Sequence, residues 1–211
     1  IYILLFTSVF IGYLIALILK VKEVKSLSIY LAFSGSFLLA LTIFELLPVV
    51  YQNPNKTIGV YIIAGILLQI ILEFFSQGAE HGHVHINKHT NSFPWLLFIS
   101  LSIHALLEGV PITENNNLLI GIMVHKIPIA LILSVFFIKA NYKKTTILLF
   151  LFLFGLMTPL GNWLSNNFEI TQNYQREITA VAIGVFFHVS TTILFESSKN
   201  HQFNLWKMSA V

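Results

Sequence analysis

His104 and Glu108 stand four residues apart in the apolar run Ser102-Ile103-His104-Ala105-Leu106-Leu107-Glu108-Gly109-Val110-Pro111. On a helix, residues four apart share a face, so an imidazole nitrogen and a carboxylate oxygen could close on one cation. A second apolar run reads Val124-His125-Lys126-Ile127-Pro128, with Gly121 one turn before its histidine. Two imidazoles and one carboxylate form a borderline-soft donor set that suits Zn²⁺ and leaves coordination positions open. The chain has no Cys, which excludes disulfides and thiolate sites. Pro111 and Pro128 each follow a ligand candidate by three residues. Proline removes a backbone hydrogen bond and frees a carbonyl in the preceding turn. The competing reading of the His–Glu pair is an interhelical hydrogen bond that fixes packing. A second histidine and proline on the neighbouring run favour ligation.

The elements that must position these groups follow from composition. Hydrophobic residues make up 56% of 211 and charged residues only 10%, against about 25% in a soluble domain. So few charges cannot cover a water-facing surface, and the partner of most of this surface is a lipid bilayer. Crossing it takes about 20 helical residues. Apolar runs of that length predict spans at 1–19, 27–51, 57–77, 93–112, 118–138, 145–164 and 178–195, all α-helical. Residues 204–211 read as the start of an eighth span. The expectation is one transmembrane domain over 1–211, cut at both ends, with no signal peptide.

Lys and Arg placement orients this layout. The odd-numbered connections hold Lys20, Lys22, Lys25, Lys88, Lys139, Lys143, Lys144 and Lys199, and the even ones only Lys56 and Arg176. Positive residues accumulate on the cytoplasmic side, which predicts a multi-pass protein of the plasma or inner membrane with its N-terminus outside. The formal net charge of +3 is spread between apolar runs and forms no stripe, so nucleic acid is not an expected partner. Whether the chain is a monomer or a homodimer stays open.

Charged groups near the bilayer centre cost about 2.5–3.5 kcal/mol each on insertion scales, so those inside spans need a reason. Glu45, near the end of the second span, reads as a vestibule residue or a solvated helix end. Glu73 is placed near mid-span without a nameable partner, and His188 reads as a packing or hydrogen-bonding residue, with both kept as pathway candidates. Residues 78–92 form a cytoplasmic loop in which His81, His83, His85 and His89, with Glu80, make a chelating tract suited to weak metal capture.

The order of these motifs resembles the ZIP (Zrt- and Irt-like) family of divalent metal transporters. His104 to Gly109 resembles the His-x-x-x-Glu-Gly of its fourth helix, and His125-Lys126 a variant of the His-Glu pair on its fifth. Glu45-Leu46-Leu47-Pro48, Thr158-Pro159-Leu160-Gly161, Gly184-Val185-Phe186 with Glu196, and the His-rich loop resemble further family segments. The resemblance implies an all-α, eight-helix ZIP-type bundle, here seven full spans plus the start of an eighth. It implies a transporter of Zn²⁺, or of Fe²⁺, Mn²⁺ or Cd²⁺, toward the cytoplasm, with His104, Glu108 and His125 as metal ligands.

Three positions depart from the family pattern. Ile129 stands where a second ligand of the fifth helix often sits. Lys126 replaces an acidic residue that helps some members hold a second metal, and a charged ammonium has no lone pair to offer. Thr158 stands where members with two metals tend to have Glu. The expectation is one metal site, with Lys126 substituting for the second cation and compensating Glu108.

Two rival functions remain in view. An intramembrane metalloenzyme needs His-Glu-x-x-His with the Glu as base. His125-Lys126-Ile127-Pro128-Ile129 lacks both base and second ligand, so no enzyme is expected. A metal sensor that transports nothing is the other alternative, separable by metal accumulation in cells.

Overall fold

The computed structural model describes residues 1–19, 28–52, 56–76, 78, 93–113 and 117–195. His81, His83, His85, His89, Glu196 and the expected start of an eighth span lie outside them. Among the described residues there is no strand, and each predicted apolar run is a helix.

The helices are α1 (Tyr2–Leu19), α2 (Ser28–Leu41), α3 (Leu47–Val50), α4 (Lys56–Ser76), α5 (Trp95–Gly109), α6 (Leu118–Lys139), α7 (Lys144–Asn167), α8 (Glu169–Asn173) and α9 (Gln175–Phe195). A π-helical turn, Thr42–Leu46, joins α2 to α3. It sits just before Pro48, which has no N–H for the carbonyl one turn back, and the wider turn re-spaces the ladder there. Among the described residues, five segments are long and apolar enough to cross a membrane: Ile29–Val50, Lys56–Ser76, Leu118–Lys139, Lys144–Asn167 and Gln175–Phe195. Tyr2–Ile18 and Trp95–Gly109 are apolar but shorter. The short α8 was not anticipated in the sequence, where its stretch reads as a polar connection.

The bundle is apolar outside and polar at its centre. Ile3, Ile18, Phe44 and Phe74 are each more than three-quarters exposed, whereas Gln69, His104, Glu108, His125, Lys126 and Thr158 are buried. Hydroxyls within the helices return to carbonyls of the preceding turn, as from Ser8 to Leu5, Ser34 to Leu31, Ser100 to Leu96 and Ser134 to Ala130. That local pairing lets Ser and Thr occupy a span without water.

The closest helix pairs are α4 with α9, α1 with α6 and α5 with α7; α2 lies on both α6 and α9, and α4 also lies on α5. Glycines explain how the closest pairs meet. A Cβ at Gly161 would sit 2.0 Å from the Leu106 carbonyl oxygen, and one at Gly109 2.2 Å from that of Thr158, so α5 and α7 touch backbone to backbone. Gly65 and Gly184 do the same for α4 and α9, each 2.0 Å from a facing carbonyl oxygen, Val181 and Ile62 respectively. Such small-residue contacts hold membrane helices together where the hydrophobic effect between them is absent.

Candidate metal centre

The centre lies where α5 and α6 face each other across side chains, with α4 and α7 closing the sides. Two apolar clusters enclose it along the bundle axis. One includes Leu101, Ala105, Ile129, Phe150 and Phe154, and the other Leu46, Ile112, Leu118, Ile122 and Phe186.

His104 and Glu108 share one face of α5, as their spacing requires, and His104 Nε2 lies 3.0 Å from Glu108 Oε1. His125 Nε2 approaches the same oxygen at 4.0 Å from α6. One donor atom from each of these three residues lies within 4.8 Å of the others. None of the three is more than 1% exposed. The three predicted residues are therefore brought together, at a spacing that one cation could close.

Lys126 enters the same centre. Its Nζ lies 3.1 Å from Glu108 Oε2, the oxygen turned away from His104, and 4.6 Å above the centre of the Phe154 ring. The carboxylate lowers the cost of holding an ammonium in this buried position, and the ring face adds an electrostatic contact. Thr158, from α7, donates its hydroxyl to the Ala105 carbonyl at 2.9 Å and reaches Glu108 Oε2 at 3.4 Å.

The two prolines differ from expectation and from each other. Pro111 lies beyond the end of α5 and does not break it, because the helix has already stopped at Gly109. Asn162 of α7 donates to the carbonyls of Gly109 at 3.2 Å and Ile112 at 2.8 Å, taking up acceptors that the helix end leaves over. Pro128 lies inside α6, which continues through it.

Gln69 of α4 is the residue that sequence reasoning missed. It is fully buried, and its Oε1 lies 3.1 Å from His104 Nδ1. A signal existed: an amide in a long apolar helix must find a partner. The partner lies 35 positions away, and no local spacing announces it.

The remaining candidates separate into two places. Glu73 and His188 pair with each other, carboxylate to Nε2, at 2.5 Å and partly exposed. Glu73 is in the last turn of α4 and not near mid-span, where water reaches a charge more cheaply. Glu45 accepts from the Asn117 backbone N–H at 2.9 Å and its side-chain amide at 2.6 Å, so it caps the start of α6. Glu45 also lines a cleft of about 560 Å³ with Pro111, Thr113, Gln172, Arg176 and Thr179.

Comparison with known proteins bears on the same region. The profile of the family described as ZIP Zinc transporter matches residues 76–211, which hold α5, α6, α7 and α9. Zinc transporter ZIP1 of Danio rerio is 38% identical over 93 residues, covering 40% of this chain and 30% of that protein. Protein zntD of Dictyostelium discoideum is 27% identical over 150 residues, 61% of this chain and 22% of that protein. Zinc transporter ZIP1 of Takifugu rubripes is 30% identical over 88 residues, 39% of this chain and 29% of that protein. The chain thus spans less than a third of the length of these curated relatives.

Proposed function

The chain belongs to the ZIP zinc transporter family, and from that premise we propose that it carries a divalent transition metal, zinc first, across the membrane toward the cytoplasm. It is a multi-pass membrane protein, and in our reading the full bundle has eight helices with the N-terminus outside. His104, Glu108 and His125 hold the ion between α5 and α6. The observation that carries this reading is the convergence of their donor atoms within 4.8 Å in a buried centre. A neutral nitrogen pair with one carboxylate favours Zn²⁺ over Mn²⁺, though geometry and supply also select, and Fe²⁺ and Cd²⁺ fit the same donors.

Lys126 gives the site its particular character. With Glu108 ionised and Lys126 charged, the centre is neutral before the ion arrives, which avoids an isolated charge in the bilayer. The arriving cation competes with the ammonium for the carboxylate. Binding is thereby weakened, as a transported ion must leave again. A second divalent ion would bring two dications and the Lys126 ammonium onto the single Glu108 carboxylate, so a single ion is the reading the charges favour. An ammonium also stands where a metalloprotease would need its base, which supports transport over hydrolysis.

The ion enters from the cleft beside Glu45 and leaves past Glu73 and His188, which offer the next carboxylate and imidazole along the bundle. The test is zinc uptake by the full-length protein in proteoliposomes. His104→Ala and Glu108→Ala should each reduce uptake at least tenfold. Unchanged uptake in both would remove the site from the transport path.

A further inference from the structure

Resting on that reading of the site, we propose that Gln69 is a positioning residue that selects the ligating tautomer of His104. Gln69 contributes no ligand and lies outside the matched residues 76–211. Its amide is nevertheless fully buried and placed against the ring nitrogen that faces away from Glu108.

The chemistry follows from what each atom can do. With the amide oxygen of Gln69 turned to the ring, as in the structure, the 3.1 Å contact is a bond in which His104 Nδ1–H donates to Oε1. A neutral imidazole protonated at Nδ1 has its lone pair on Nε2, the nitrogen 3.0 Å from Glu108 Oε1. A nitrogen lone pair and a carboxylate oxygen this close together leave a place that one cation can share. With the proton held on Nδ1, His104 and Glu108 present a paired nitrogen and oxygen to an incoming ion. Histidine ligands characteristically give their other N–H to an oxygen, which fixes the tautomer and the ring orientation.

The position of Gln69 adds a second consequence. α4 packs backbone to backbone on α9 through Gly65 and Gly184, whereas α5 packs on α7 through Gly109 and Gly161. Gln69 and His104 therefore meet where the α4–α9 pair lies against the α5–α7 pair. The bond ties the metal-ready tautomer to one placement of α5 against α4.

The test compares zinc uptake by full-length wild type, Gln69→Leu and Gln69→Glu in proteoliposomes, with His104→Ala as the control. Gln69→Leu should raise the KM for zinc about 10- to 100-fold, the range for lost partners of metal-bound histidines, with maximal rate within about twofold. Gln69→Glu, which keeps an oxygen at the position, should restore most of the affinity. In wild-type protein labelled with ¹⁵N-histidine and loaded with zinc, His104 should carry its proton on Nδ1. Zinc bound at Nδ1 would overturn the proposal however the variants fold, as would an unaltered KM in Gln69→Leu. Loss of uptake in His104→Ala beside a normal Gln69→Leu would sink this inference alone. Normal uptake in His104→Ala would instead sink the site itself.

Discussion

Lys126 Nζ and Glu108 Oε2 lie 3.1 Å apart, on neighbouring helices, with neither side chain more than 1% exposed. Glu108 is the member that all others address: His104 and His125 approach one of its oxygens, Lys126 and Thr158 the other. A single carboxylate therefore faces the Lys126 amine and both imidazoles. The structural and the transport roles of the centre compete for that one charge.

Removing the ammonium alone should expose the competition. Lys126→Met leaves Glu108 as an uncompensated buried anion, and breaking a buried pair costs about 3–5 kcal/mol. The variant is expected to melt well below wild type without metal and to regain much of the loss with zinc, which replaces the missing positive charge. Thermal unfolding in detergent with and without zinc measures this. Equal zinc-induced stabilisation of wild type and variant would speak against it.

Removing both charges should separate the two roles. The double variant Glu108→Gln, Lys126→Met eliminates the pair together, and replacing a whole buried pair is often neutral for stability. It is expected to fold with a melting temperature near wild type yet transport at least tenfold more slowly. The double-mutant cycle then gives a coupling energy for the pair in melting experiments. Additive losses from the two single substitutions would mean the 3.1 Å contact contributes nothing.

The α5–α7 contact should tolerate no side chain. A Cβ at Gly161 would meet the Leu106 carbonyl oxygen at 2.0 Å, so Gly161→Val must separate the helices that carry His104, Glu108 and Thr158. Overpacking typically costs about 1–3 kcal/mol, and a backbone neighbour gives less readily than a side chain. Gly35→Ala is the comparison, because the atoms nearest its Cβ all belong to the Ile193 side chain, the first at 3.1 Å, with no carbonyl in the way. Yield of monodisperse protein should fall sharply for the first and little for the second.

Glu45 should matter for α6 before it matters for metal. Its carboxylate takes the Asn117 N–H at the start of that helix, and loss of a cap costs about 0.5–2 kcal/mol. Glu45→Ala is expected to lower the melting temperature by a few degrees. Glu45→Gln keeps an acceptor oxygen and should lower it less. If Glu45 also receives the ion, both variants should raise the KM for zinc. A KM shift confined to Glu45→Ala would assign the effect to the cap.

The amino-acid sequence alone determined the seven apolar helices, because the need to satisfy every backbone group in lipid leaves few alternatives to a helix of spanning length. It also determined that His104 and Glu108 share a face, since that follows from 3.6 residues per turn. The approach of His125 was inferable from the motif order, but its 4.0 Å separation from Glu108 was not. Tertiary structure decided everything that depends on which helices are neighbours: Gln69 behind His104, Glu73 with His188, and Glu45 on Asn117. Each of those pairs joins residues 35 to 115 positions apart. Periodicity along one helix specifies directions around its own axis, whereas the partner met in that direction is set by how glycine contacts stack one helix on another.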